Sequence, residues 1–462
     1  MLDNVAESSG TRVARLLDDL PVTRLHRRVV SAVGLGLFFD MYEVFLAGTI
    51  GTALSKEFGL SGTGLALMLG SAFLGMFAGA FFLARLADRL GRKKMFLFSL
   101  VWYSLFSLLG AFSPNAAVLV ATRFLAGVGV GAEYPVSDSY LSDVLPARSR
   151  GRLAAWAYTC SYLAVPALGF LSLGLAGRSP LGIDGWRWLL AIGSLGALAV
   201  LSLRRTLPES PRWLESVGRD ADAKKAYARF AEAAPLKRQP RQPKLPAASQ
   251  PPAPASAARR LPASALARPP YRGRLAMLAI FHLLQTFGYY GFGTLAVLVL
   301  SERGFAVQHS LLYTALSYLG YPLGSLLSIP LIARLERKYL VIGSVLAMAV
   351  AGIAFASAGA PAVIVLAGVA FTTLSNVFSN AYHIYQAEIF PTELRASATG
   401  WTYALSRATT GLMPFLLLPL LHSRGSVAVF AVVAAAMVLV AVDIAMLGPR
   451  TSARSVEAIN PR

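Results

Sequence analysis

Charge, acid in particular, and cysteine are what this sequence has least of. Only 14% of its 462 residues are charged and 55% are hydrophobic, against about 25% charged in an ordinary soluble protein. A soluble chain of this balance would lack the polar surface needed to cover its domains. Cys160 is the single cysteine, so no intramolecular disulfide can form. His282, His309 and His383 lack metal-ligand spacing, and neither a metal nor a cofactor is expected. The apolar runs also lack the two-residue alternation of barrel strands. The first 28 residues hold no short apolar core followed by a small-residue cleavage site, so no signal peptide is expected to be removed.

What is present is a series of apolar runs of roughly 20 residues, the length that crosses about 30 Å of hydrocarbon as a helix. Helices are required because lipid offers the backbone no hydrogen-bond partners. The expected spans are 29–54, 63–84, 94–112, 117–141, 153–176 and 187–203, then 275–300, 310–333, 339–358, 362–387, 396–421 and 427–448. The fold class is therefore an all-α membrane protein of twelve transmembrane helices. It is divided into an N-terminal segment 1–28, a six-helix half 29–203, a loop 204–274, a second six-helix half 275–448 and a tail 449–462.

The formal charge of +20 would suggest nucleic acid in a soluble chain, but its placement argues otherwise. With both termini on one side, 36 of the 43 Lys and Arg fall in segments of that side. Such asymmetry marks the cytoplasmic face, so both termini are expected in the cytoplasm and nucleic-acid binding is rejected. Between Pro235 and Pro270, ten prolines lie among Ala, Ser, Gln and Arg. That composition reads as a disordered linker, preceded by a short surface helix in "SVGRDADAKKAYARFAEAA".

Shifting the chain by 245 residues aligns "YLSDVLPARSRGRLAAWAY" (140–158) with "YQAEIFPTELRASATGWTY" (385–403). Without changing the offset, Gly75 meets Gly320, Arg89 meets Arg334, Arg92 meets Arg337 and Asp143 meets Glu388. The halves are thus parallel repeats about an axis along the membrane normal, the arrangement of rocker-type transporters with a midplane site between the halves.

"GMFAGAFFLARLADRLGRKK" (75–94) resembles the loop between the second and third helices of the major facilitator superfamily. "RFLAGVGVGAEYP" (123–135) resembles its fourth helix, and "PESPRWL" (208–214) the end of the sixth helix in sugar porters and organic-ion carriers. With "EIFPTELRASATG" and "SRATTG" the resemblance covers nearly the whole chain. Asp40, Glu133 and Arg407 together look most like bacterial metabolite:proton symporters of the niacin, aromatic-acid and phosphate group. The second-half loop departs from the pattern, with Ala333 in place of Asp88 and Glu336 in place of Gly91; no tandem Gln pair marks the seventh helix.

The resemblance implies an inner gate of Gly75, Asp88, Arg89, Gly91 and Arg92, with Asp143 set against Arg150 and Glu388 against Arg395. A plainer reading of Gly75, Gly79, Gly127 and Gly131 is close helix packing. On the midplane logic, Gln285, Tyr289, Asn376 and Asn380 are candidates to touch substrate, although interhelical hydrogen bonds alone could retain them. Arg123 can be read as snorkelling at the end of its span. Arg407 lies deeper, and its planar donor fork suits a carboxylate or phosphate; pairing with a membrane acid is the alternative.

"GLGLFFDMYEVFLAG" (34–48) places two acids in an apolar run, where each costs about 3 kcal/mol by insertion scales. Asp40 and Glu43 share a helix face, and the 245 offset pairs Asp40 with Gln285. Desolvation and a neighbouring like charge both favour a protonated carboxyl, so Asp40, Glu43 and, at similar depth, Glu133 are the candidate proton sites. The alternative is a static acid paired with Arg407 or Arg123. The expected function is proton-coupled uptake of a small organic metabolite, an organic anion, across the bacterial inner membrane by a monomer. Its partners are substrate, protons and the lipid bilayer. An efflux antiporter, a sugar or phosphate symporter, and a non-transporting receptor on the same scaffold are the alternatives; an enzyme is not expected.

Overall fold

The structure is a computed structural model that describes residues 12–233, 263–451 and Ile459. Most of the proline-rich linker, the first eleven residues and most of the tail lie outside the described residues. Among the described residues the chain is helical throughout, with no β-strand.

A short helix α1 (Arg12–Asp19) precedes the first half. That half comprises α2 (Arg24–Phe58), α3 (Gly62–Leu90), α4 (Arg92–Ala111), α5 (Ala116–Val144), α6 (Ala147–Tyr162), α7 (Ala164–Leu175) and α8 (Gly185–Arg205). Two surface helices follow, α9 (Pro211–Ser216) and α10 (Asp220–Glu232), the latter within the stretch expected to form one. The second half comprises α11 (Tyr271–Glu302), α12 (Val307–Tyr318), α13 (Gly320–Arg334), α14 (Arg337–Ser357), α15 (Pro361–Glu388) and α16 (Thr392–Leu447). α6 and α7 form one span interrupted at Leu163, and α12 and α13 another interrupted at Leu319. α16 is two spans meeting at Gly425, whose φ of 78° breaks the helix. The twelve expected spans are thus all present; the first starts at Arg24 and the seventh at Tyr271, each a turn earlier than hydropathy alone suggests.

Local chemistry sets the ends. Thr23 and His26 form a reciprocal capping box at the start of α2, Asn115 accepts the Val118 N–H at 3.0 Å to open α5, and Gly59 closes α2 in the left-handed region. α3 and α5 meet backbone to backbone. A Cβ on Gly75 would overlap the Phe124 carbonyl, and one on Gly127 the Ala72 carbonyl, so these glycines are where the two helices interlock.

The two halves meet through α2 with α11, α3 with α16 and α7 with α12. On the side away from the termini the seam is aromatic and obeys the repeat. Phe45 meets Tyr318 edge-on at 5.9 Å, and Phe73 meets Tyr290 at 5.4 Å; adding 245 to 45 and 73 gives 290 and 318. Each half therefore supplies one ring to each of two equivalent contacts. On the terminal side, Asp138 of α5 and its counterpart His383 of α15 are exposed.

Candidate functional site

Three acids and two arginines are buried together in the first half. Glu43 on α2 is gripped by Arg123 of α5. The guanidinium donates through Nη1 to the carboxylate and through Nη2 to the Glu43 carbonyl at 3.1 Å, while Ser107 of α4 donates to Oε1 and Oε2 at 3.0 and 2.9 Å. Arg123 is only 2% exposed, so it does not snorkel. Glu133 on α5 pairs with Arg204 from the end of α8, and Ser99 donates to its other oxygen at 2.6 Å. Arg204 is enclosed: its charge lies 3.5 Å from the Phe96 ring centre, its Nη1 donates to the Phe96 carbonyl at 3.2 Å, and it fills the space left by Gly36. Any side chain on Gly36 would meet the guanidinium.

Asp40 is different. Its side chain is wholly buried on α2 and neither carboxylate oxygen has a hydrogen-bond partner. The Tyr103 hydroxyl is the polar group beside it, and Glu133, Arg204 and Glu43 are its charged neighbours. Each of the other two acids is cancelled by an arginine. Asp40 is the odd charge of the cluster, and the cluster is neutral only when Asp40 carries a proton.

The second half holds the complementary case. Arg407 on α16 is 4% exposed and forms no ion pair among the described residues. Its Nη2 donates to the Tyr403 hydroxyl, its guanidinium carbon stands 4.9 Å and 4.7 Å from the ring centres of Tyr290 and Tyr403, and its Nη1 has no acceptor. Tyr134 of α5 stands within electrostatic reach of both Asp40 and Arg407, and its hydroxyl is unpartnered. Tyr289 packs edge-on against Tyr290 and Tyr321. Gln285, the repeat partner of Asp40, is buried on α11. The two halves thus bury, on either side of their seam, an acid without a hydrogen-bond partner, a cation without an ion pair among the described residues, and a set of tyrosines.

Asn376 and Asn380 make the interhelical hydrogen bonds that their plainer reading expects. Asn376 donates to the Tyr321 carbonyl at 2.6 Å and Asn380 to the Ser328 hydroxyl at 2.8 Å, holding α15 against α13. The structure also reveals groups that the sequence reading did not single out. Arg204 reads as the first residue of a basic loop, and Tyr103, Ser99 and Ser107 carry no sequence signal beyond a polar atom in an apolar run.

At the terminal end, Arg92 lies 3.8 Å from Asp143, and Arg337 lies 3.2 Å from Glu388; the two pairs are related by the 245 offset. Asp143 also accepts from Ser210 at 2.8 Å. Arg150 makes its direct ion pair with Asp18 of α1 at 3.2 Å, with Asp143 in electrostatic reach, and Asp18 also takes Arg212 at 2.7 Å. The N-terminal helix supplies a nearer acid than α5 does. Gly91 turns between α3 and α4 with φ of 104°, Arg89 is exposed, and the side chains of Asp88 and Arg395 lie outside the described residues.

Residues 29–462 match the family described as Sugar (and other) transporter. The chain belongs to that family. It is a multi-pass membrane transporter of the major facilitator superfamily and not an enzyme. YyaJ of Bacillus subtilis is 30% identical, with 96% of this chain and 97% of that one aligned. The niacin transporter NiaP of Acinetobacter baylyi is 28% identical over 96% and 98% of the two chains. Among solved structures, the inward-open xylose transporter XylE of Escherichia coli superposes with a TM-score of 0.72 over 93% of this chain and 98% of its own at 19% identity, a likeness of fold.

Proposed function

We propose that this transporter carries a small organic anion together with a proton, inward across the bacterial inner membrane, with both termini in the cytoplasm. The observation that carries the reading is the pairing of one uncompensated buried acid, Asp40, with one uncompensated buried cation, Arg407, on opposite halves.

The coupling follows from charge. A proton on Asp40 neutralises the first half, and a substrate carboxylate on the Arg407 fork neutralises the second. Only the doubly loaded and the empty carrier then balance: the first because each charge is cancelled, the second because Asp40 and Arg407 cancel one another. Carriers loaded with proton alone or anion alone hold one net buried charge, which is costly in a low-dielectric interior. Closing and rocking are favoured for the balanced states, so proton and anion move together. Glu43 and Glu133, each held by an arginine, serve as fixed structural charges in this scheme. Tyr289, Tyr290 and Tyr403 make the surroundings of the Arg407 fork aromatic, which suits a flat substrate, and Gln285 offers an amide at the depth of Asp40. Niacin, named for one relative, is a pyridine carboxylate and has both features.

The test is uptake of labelled nicotinate by cells expressing the chain, with and without a protonophore. Accumulation that collapses with the protonophore supports proton-coupled import. Lower accumulation than in cells without the protein, restored by the protonophore, indicates efflux. No difference in either condition removes nicotinate as the substrate.

A further inference from the structure

The helix α4 carries a lipid-facing stripe of Phe98, Val101, Leu105 and Leu109, each between 40% and 48% exposed. Extending the spacing one turn toward the terminal side reaches Lys94, which is also exposed. Lys94 is therefore the last residue of the strip of helix that faces acyl chains. It also lines a cavity of about 410 Å³ between the start of α4 and the surface helices α9 and α10. Its apolar lining includes Leu90, Leu97 and Trp213. The wall is cationic: Lys93 and Lys94 from α4, and Arg219, Lys225 and Arg229 around α10, against two acids.

Those acids are already engaged. Asp222 holds Arg219 at 2.7 Å, and Glu209 accepts the Lys93 and Ser210 backbone N–H groups, both at 2.9 Å. Arg229 reaches the Thr206 carbonyl. Lys94 and Lys225 form no ion pair among the described residues. The cavity thus offers free ammonium groups at the level where a membrane's headgroups lie, directly above an apolar stripe that acyl chains cover.

We propose that this cavity binds the headgroup of an anionic phospholipid, the phosphate meeting Lys94 and Lys225 and the acyl chains descending along Phe98 and Val101. Ammonium groups near the surface favour anionic lipid by electrostatics, and the lysine stems extend over the apolar lining while the charges stay at the headgroup. A lipid held there ties α4 to α10 across the Pro208–Trp213 turn, next to the Gly91 and Arg92 end of α4. The site is independent of the transported substrate.

The test uses the purified full-length chain in detergent with equimolar dioleoyl-phosphatidylglycerol and dioleoyl-phosphatidylcholine, the bound lipid being read by native mass spectrometry. Phosphatidylglycerol is expected to be retained selectively, and Lys94→Gln with Lys225→Gln to lower its retention roughly tenfold. A control with Lys56→Gln and Arg178→Gln, on the opposite side, is expected to bind as the parent does. Excess glycerol 3-phosphate is expected not to displace the lipid. Equal retention by the parent and the lysine variant, an equal fall in the control, no preference over phosphatidylcholine, or displacement by glycerol 3-phosphate would each overturn the proposal. The last of these would assign the cavity to a soluble phosphate.

Discussion

Arg204 at the end of α8 closes on Glu133 of α5, and both side chains are completely buried. Removing one partner leaves the other charge stranded, which costs about 3 to 5 kcal/mol in a protein interior, whereas removing both with apolar replacements of similar size is near neutral. Glu133→Gln is therefore expected to lower the melting temperature of the purified protein sharply. Glu133→Leu with Arg204→Met should restore most of it. A double variant as unstable as the single one would mean that Arg204 is retained for its packing on Phe96 rather than for the ion pair.

Glu43 is held in the same way by Arg123 and Ser107, so Glu43→Gln is expected to behave as a stability variant. It should be rescued by Arg123→Met, as read by the yield and melting of monodisperse protein. A Glu43→Gln protein of parental stability would move Glu43 back among the proton-site candidates.

The outline of this molecule was legible in the sequence, because membrane helices advertise themselves by length and the repeat survives at a single offset through Arg92, Asp143, Arg337 and Glu388. Asp40 and Arg407 were legible for a related reason: a charge in an apolar run is costly enough to stand out. Their partners were not. Which helix faces which is decided in three dimensions, so nothing along the chain shows that Arg123 rather than Arg407 takes Glu43. Arg204 stayed hidden for another reason. It lies at a span end beside Arg205 and reads as a loop charge, and only the notch at Gly36 and the Phe96 ring reveal that it turns inward. Arg150 escaped because its acid, Asp18, sits more than a hundred residues away on a short helix outside the spans.

Arg337 and Glu388 form one of two repeat-related ion pairs at the terminal ends of the helices. Reversing one charge, Arg337→Glu, is expected to cut the uptake rate severalfold with little change in substrate affinity, since the pair is remote from Arg407. The swap Arg337→Glu with Glu388→Arg should recover much of the rate. Failure of the swap, with affinity unchanged, would show that the pair acts through more than its mutual attraction.

Arg407 presents a planar fork with one nitrogen unpartnered. Lysine keeps the charge and loses the fork and the ring stacking, so Arg407→Lys is expected to weaken nicotinate binding by roughly tenfold to a hundredfold, the worth of one or two charge-assisted hydrogen bonds. Nicotinamide, which lacks the carboxylate, should be affected far less. Calorimetric titration of both ligands checks this, and an equal loss for the two would remove the anion from the assignment.

The coupling role of Asp40 is tested most directly by Asp40→Asn in proteoliposomes, where accumulation driven by a proton gradient and counterflow exchange at zero gradient are measured on the same preparation. Asparagine holds the site in the form of the protonated acid. Exchange needs only that the halves rock with substrate bound, so counterflow is expected to continue while gradient-driven accumulation disappears. Continued accumulation of substrate by Asp40→Asn under a proton gradient alone would contradict the assignment of Asp40 as the coupling acid.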